Sequence, residues 1–111
     1  MLAMTTMSFA ENMNSQPMAA DAEAYDMTVN YRKLAVTLGL TSEQMEVVQD
    51  IHNAFCNEML LAAYASESER TEMVSKAVKK DVRYMHYVLN EKQYNQYLTL
   101  LDMTLQNRGL K

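Results

Sequence analysis

The sequence predicts an all-α fold in which four helices with short connections form a hooked or antiparallel, bundle-like arrangement. The chain has 111 residues but only two glycines and one proline, so most signals for tight turns and hairpins are missing. Val, Ile and Thr form none of the alternating runs that a half-buried strand requires. A helix-start pattern also occurs twice, which favours helices throughout the folded part of the chain.

The repeated pattern is a helix start that reads LTSEQ at residues 40–44 and LNEKQ at residues 89–93. In each copy the second residue is the predicted N-cap, because its side-chain oxygen can accept a hydrogen bond from a first-turn backbone N–H. The glutamine three residues later can accept from the cap residue's own N–H, which completes a capping box. The leucine before each cap can form a hydrophobic staple. The helix-capping motif therefore comprises Leu40, Thr41, Gln44, Leu89, Asn90 and Gln93.

The first two predicted helices follow from their apolar spacing and their end signals. The first runs from about Ala22 to Leu38 and is followed by Gly39, a residue type favoured just past a helix. The second runs from Ser42 to about Tyr64, with apolar residues recurring at the helical period. The apolar stripe of this second helix contains Met45, Val48, Ile51, Phe55, Met59 and Ala62.

The third and fourth helices are predicted in the same way. A capping box at Ser66–Glu69 opens the third helix, and a stripe rich in valine marks its buried face. The fourth helix runs from Glu91 to about Asn107 and ends just before Gly109. Because the connections between helices are short, neighbouring helices should pack antiparallel. A curved dimer is compatible with this arrangement.

The chain divides into three parts. Residues 1–10 read as the remnant of a signal peptide, because MLAMTTMSFA is apolar and uncharged and ends in small residues that suit a cleavage site. A basic start is missing, so we expect the signal peptide to be truncated in this chain. Residues 11–20 are polar and contain the only proline, which predicts a flexible leader. Residues 21–111 are predicted to form a single helical domain, and a domain this small would gain stability from dimerisation.

The two helix starts resemble the motif of the LTxxQ-motif (Spy/CpxP-like) family of Gram-negative envelope proteins. The copy at residues 40–44 matches strictly, and the copy at residues 89–93 has Asn90 where the family favours threonine. The resemblance implies a periplasmic or secreted, all-helical protein that forms a cradle-like dimer. It also implies an ATP-independent chaperone, a modulator of the envelope stress response or, in a related branch, a metal-responsive protein. The chaperone members are rich in basic residues, whereas this chain is acidic, with a net charge of −4.

Charge is divided unevenly along the chain, with a net −8 over residues 1–69 and a net +4 over residues 70–111. We interpret the basic third helix as one face of a protein-binding surface, suited to acidic clients or to the acidic half of a second subunit. An ordinary solvated helix face is the alternative. Nucleic-acid binding is not expected, because an acidic chain without a recognised module leaves a weak electrostatic footprint. The candidate surface comprises Met73, Lys76, Lys79, Lys80, Arg83, Tyr87 and Met103.

No metal site is predicted, but His52 and Cys56 are candidate ligands, because their spacing puts both side chains on one helix face. Asp50, Asn53 and His86 could contribute further ligands. Two ligands do not complete a zinc or copper site unless a dimer supplies two more. Burial of Cys56 as a small hydrophobic residue is the alternative. No cofactor is predicted, and no enzymatic activity, since the chain has no glycine-rich phosphate loop and no recognisable oxyanion pocket.

The sequence therefore predicts an exported protein-binding module that acts as an ATP-independent chaperone or envelope-stress modulator. It is expected to bind protein clients or itself, most simply as a homodimer. Two alternatives stay open. One is a metal-responsive envelope protein that uses His52 and Cys56 across a dimer, and the other is a structural interaction module without chaperone activity.

Overall fold

The computed structural model describes residues 22–111, and within that range the chain is helical and contains no β-strand. The predicted all-α fold is therefore confirmed. The predicted signal-peptide remnant and leader, residues 1–20, lie outside the described residues. The elements are a 3₁₀ turn at Ala22–Tyr25 and the helices α1 at Tyr31–Leu38, α2 at Ser42–Ala63, α3 at Glu67–Val88 and α4 at Glu91–Asn107.

The four helices form an up-down-up-down bundle. Contacts between neighbouring helices pair residues whose numbers run in opposite directions, which is the signature of antiparallel packing. α2 and α3 make the most extensive of these contacts, and the segment from the 3₁₀ turn to α1 packs against α2 and α4. The pairs that show the directions are Gln44–Val88 and Glu58–Lys80, then His86–Tyr94 and Asp81–Tyr97, then Gly39–Gln93 and Asp26–Arg108.

The core forms where the apolar stripes of the helices meet. Phe55 and Met59 of α2 and Met85 of α3 are among the fully buried side chains. Met27, which precedes α1, joins the same cluster. Methionine is flexible and unbranched, so it fills irregular gaps between helices. Burial of each such side chain contributes about 1.5–3 kcal/mol to the free energy of folding before the loss of side-chain entropy is counted. These methionines belong to the core that the apolar stripes predict.

The prediction of one continuous first helix from Ala22 to Leu38 is wrong, because the chain leaves the helical path between Asp26 and Asn30. The Asp26 carboxylate accepts hydrogen bonds from the backbone N–H of Thr28 at 3.0 Å and from its hydroxyl at 2.8 Å. Asn30 then caps α1 by accepting from the backbone N–H of Lys33 at 3.1 Å. Short polar side chains of this kind compete with the helical hydrogen bonds, and here that competition breaks the helix.

The capping box predicted at Ser66–Glu69 is also wrong. Ser66 is the N-cap residue of α3, but its side chain makes no capping hydrogen bond. Its hydroxyl oxygen lies 3.2 Å from that of Ser68, and the backbone N–H of Glu69 donates instead to the Ser66 carbonyl at 3.0 Å. The Glu69 N–H is therefore satisfied by a backbone carbonyl, and no capping hydrogen bond from the Ser66 side chain is required.

Arg108 fixes the first described segment to the end of α4. Its Nη1 donates to the carbonyl oxygens of Glu23 at 3.2 Å and Ala24 at 3.4 Å, and also to that of Asp26. Gly109 follows with a φ of 73°, which lets the chain turn back so that the N–H of Leu110 donates to the Leu105 carbonyl at 2.8 Å. One guanidinium therefore anchors the whole 3₁₀ turn to the bundle.

Replacing Arg108 with alanine is expected to lower the free energy of unfolding by about 2 kcal/mol, because a charged donor to three carbonyl groups is lost. Urea unfolding measures the change, and hydrogen exchange should rise in residues 22–30 more than in α2. Arg108→Lys should recover only part of the loss, since lysine lacks the planar fork. An alanine variant as stable as the wild type would contradict this role.

Candidate functional site

The two repeated helix starts form two complete capping boxes. In the first, the Gln44 backbone N–H donates to the Thr41 hydroxyl at 3.0 Å, and the Thr41 N–H donates to Gln44 Oε1 at 3.0 Å. In the second, the Gln93 N–H donates to Asn90 Oδ1 at 2.8 Å, and the Asn90 N–H donates to Gln93 Oε1 at 3.0 Å. The structure therefore places Thr41 and Asn90 at helix beginnings, with the same hydrogen-bonding pattern in each.

The two boxes are also bonded to each other through their glutamines. Gln44 Nε2 donates to Gln93 Oε1 at 2.8 Å, and Gln93 Nε2 donates back to Gln44 Oε1 at 3.2 Å. Each amide nitrogen makes a second bond, from Gln44 to the carbonyl of Val88, the last residue of α3, at 3.0 Å and from Gln93 to the carbonyl of Gly39, which follows α1, at 3.1 Å. Each amide thus uses both of its donors and accepts at its oxygen twice.

This cross-bonding joins the two halves of the bundle. Gln44 lies in the first turn of α2 and bonds to Val88, just before α4. Gln93 lies in the first turn of α4 and bonds to Gly39, just before α2. The staple leucines lie beside the network, with Leu89 buried and Leu40 half-buried against the core. We call these six motif residues together with Gly39 and Val88 the cap network. Its hydrogen bonds join the α1–α2 connection to the end of α3 and the start of α4.

A second feature is a side of the α2–α3 hairpin whose groove is lined by residues of these two helices. A groove of about 300 Å³ runs between the two helices there. Ile51 and Ala54 of α2 and Tyr84 of α3 supply apolar walls. Asp50 and Glu58 of α2 lie on its acidic side, and Lys80 of α3 lies on the other side, where it forms a 2.6 Å ion pair with Glu58. We call this surface the outer hairpin face.

The structure separates the residues of the predicted protein-binding surface. Lys76, Lys80, Arg83 and Tyr87 are exposed and follow one another at helical spacing along the outer side of α3. Lys79 is exposed as well, but it lines a different groove, between α3 and the end of α4. The two methionines lie on different helices and differ in burial, because Met73 is half-buried on α3 whereas Met103 is 53% exposed on α4.

His52 and Cys56 are both buried. His52 Nε2 lies 2.6 Å from the carbonyl oxygen of Met27, to which it donates, and its Nδ1 has no hydrogen-bond partner. Burial lowers the pKa of His52 and raises the pKa of the Cys56 thiol to about 11. A thiol so resistant to deprotonation is a poor metal ligand and a poor nucleophile. Among residues 22–111, no group of three or more His, Cys, Asp or Glu side chains is arranged to hold a metal ion.

Asp81 and Tyr97 form a buried hydrogen-bonded pair between α3 and α4 that the capping patterns and apolar stripes do not predict. The Tyr97 hydroxyl donates to Asp81 Oδ2, while Asp81 Oδ1 is buried without a partner. Burial raises the pKa of the Asp81 carboxyl to about 6, against the lowering effect of the Tyr97 hydrogen bond. A signal was present in the sequence, because Asp81 lies midway between Ala77 and Met85 at four-residue spacing on the buried stripe.

None of the helices between residues 22 and 111 combines the length and apolar character needed to cross a membrane. Comparisons of the chain with protein-family models, with curated proteins and with solved structures find no match.

Proposed function

We propose that this chain is an exported protein-binding module of the Spy/CpxP-like type, acting as an ATP-independent chaperone or envelope-stress modulator. The observation that carries the proposal is the cap network, in which two LTxxQ-type helix starts are hydrogen-bonded to one another. In this network the motif glutamines hold the α1–α2 pair and the α3–α4 pair together in one rigid scaffold. Such a scaffold can present binding residues at fixed positions.

The exposed side chains support binding of other polypeptides. Several large apolar residues lie at the surface of the described part, including Tyr87 at 80%, Tyr64 at 67% and Leu61 at 64% exposed. Leu61 and Tyr64 lie one turn apart at the end of α2, so both can contact the same segment of a client, and tyrosine supplies broad contact area at low entropic cost. The exposed cations Lys76, Lys80 and Arg83 add a charged edge that suits acidic segments of a bound polypeptide, either a client or a second copy of the chain.

The proposal includes a periplasmic or secreted location and a homodimer, both of which follow from the family resemblance. The metal-responsive alternative gains no support, because His52 and Cys56 are buried. An interaction module without chaperone activity is the alternative that the experiment below separates.

The test is an aggregation assay with a chemically denatured client, followed by light scattering in the absence of ATP. Stoichiometric amounts of the wild type are expected to slow the rise in scattering. Replacing both Leu61 and Tyr64 with serine should reduce this protection several-fold, because apolar contact area is lost at exposed positions outside the outer hairpin face. Asn57→Ser, at an exposed position on α2, serves as the control. A wild type that leaves aggregation unchanged would exclude the chaperone role and leave the structural module.

A further inference from the structure

We propose that the outer hairpin face is the surface through which two copies of this chain associate, with α2 of each copy lying against α3 of the other. The inference rests on the self-association included in the proposed function and adds a defined interface to it. It does not depend on chaperone activity.

The first argument is the exposed apolar character of this face. Val47 is 43% exposed and lies one turn before Ile51 on α2, while Tyr84 is 41% and Tyr87 is 80% exposed on α3. These side chains border the groove or continue its line by one turn. Within the described chain no other element covers them, so a partner that covers them would remove apolar area from water.

The second argument is the distribution of charge across the face. The α2 edge carries Asp50 and Glu58, and the α3 edge carries Lys76, Lys80 and Arg83, while the buried Asp81 of α3 also lines the groove. Lys80 is paired with Glu58 and Lys76 with Glu72 in the same chain, so Asp50 and Arg83 are the charges best placed to meet a partner. The face is therefore acidic along one side and basic along the other, with the apolar groove between. A surface of this kind is complementary to a copy of itself, provided that the copy is turned so that opposite edges meet.

The geometry selects one two-fold axis. A two-fold axis parallel to the helices of the hairpin places the α2 edge of one copy against the α3 edge of the other. A two-fold axis perpendicular to the helices, in the plane of the face, would place α2 against α2 and α3 against α3. The parallel axis also keeps every residue at its own height along the hairpin. Asp50 lies between Gln44 and Glu58 of α2, whose partners across the hairpin are Val88 and Lys80 of α3. Arg83 and Tyr84 lie between those two partners and so stand near the height of Asp50, and the Arg83 guanidinium carbon lies 5.5 Å from the centre of the Tyr84 ring. Asp50 of one copy therefore comes opposite Arg83 of the second copy.

The test exchanges charges at this predicted contact and measures association by sedimentation equilibrium. The wild type should dimerise, and its association should weaken in high salt. Asp50→Arg and Arg83→Asp should each weaken association about tenfold or more, because like charges then face each other. The double variant, Asp50→Arg with Arg83→Asp, should recover wild-type association, since it restores two opposite-charge contacts.

Two controls make the outcome decisive. Lys33→Glu makes an equal change of charge on the exposed surface of α1, away from this face, and should leave association unchanged. Circular dichroism and thermal unfolding should show that all variants are folded, and rescue by the double variant cannot arise from a damaged fold. A monomeric wild type, or a double variant no better than the single variants, would overturn the proposal. A monomer whose client protection changed with Asp50→Arg would assign the face to foreign polypeptides instead.

Discussion

Replacing Gln93 with alanine is expected to lower the free energy of unfolding by about 3 kcal/mol. About 1 kcal/mol is the usual cost of losing a capping interaction. The remainder arises because the Gly39 carbonyl and the Gln44 amide each lose a partner, and for these part-buried groups we expect costs near the lower end of about 1–3 kcal/mol. Gln93 is only 6% exposed, so water cannot readily replace these bonds. Urea unfolding followed by circular dichroism measures the change.

Gln96→Ala is the matched control for this variant. Gln96 lies on the exposed side of the same helix, so the substitution makes the same chemical change without touching the cap network. Its effect on stability should stay within about 0.5 kcal/mol, as is usual for surface positions. Alanine has the higher helix propensity, so propensity alone would stabilise both variants slightly. If the two alanine variants lost equal stability, the network would not account for the loss at Gln93.

Asp81→Asn is expected to stabilise the protein at about pH 8, by on the order of 2 kcal/mol. In the wild type a buried carboxylate must be ionised at that pH, whereas asparagine stays neutral and its oxygen can still accept from Tyr97. The Asp81 carboxyl has a pKa of about 6, compared with its ordinary value of 3.8. The free energy that corresponds to this gap is at most about 3 kcal/mol.

The direction of the pH dependence follows from proton binding. Asp81 has its ordinary pKa of 3.8 in the unfolded state and a pKa of about 6 in the folded state. Between these values the folded state binds more protons, so the contribution of Asp81 to stability falls as the pH rises. It is fully present below about pH 4 and is lost as the pH passes through about 6. The groups that face Asp81 are Tyr97 on α4 and Glu58 on α2, whose charge also raises the pKa of the carboxyl.

The measurement compares the urea stability of wild type and Asp81→Asn from about pH 4 to pH 8. The lowered pKa of His52 makes stability fall on acidification, but this effect is common to both proteins and cancels in the difference. The advantage of the variant should be largest at the alkaline end and should disappear at the acidic end. A difference that is independent of pH would mean that the carboxyl does not titrate differently in the folded state.

The sequence predicts the helices well because their signals are local. Thr41 and Asn90 lie at the beginnings of α2 and α4, as their capping patterns indicate, since cap and glutamine are only three residues apart. The break at Asp26 was missed because apolar spacing alone does not register side chains that compete with the backbone for hydrogen bonds.

The functional features are harder to predict, because they join residues far apart in the chain. Gln44 and Gln93 are 49 residues apart, and each could form its own capping box without touching the other. Nothing in the local pattern requires the two amides to meet. The outer hairpin face likewise depends on the relative rotation of α2 and α3, which decides that Lys80 borders the groove with Glu58 while Lys79 does not.

The central claim is that the two repeated helix starts act as one unit through the paired glutamine amides. A double-mutant cycle with Gln44→Ala, Gln93→Ala and the double variant tests it directly, because the coupling energy isolates the interaction between the two residues. We predict a coupling of about 1 kcal/mol or more, with the double variant losing less stability than the sum of the single losses. Additive losses would show that two independent caps, and not one joined network, begin α2 and α4.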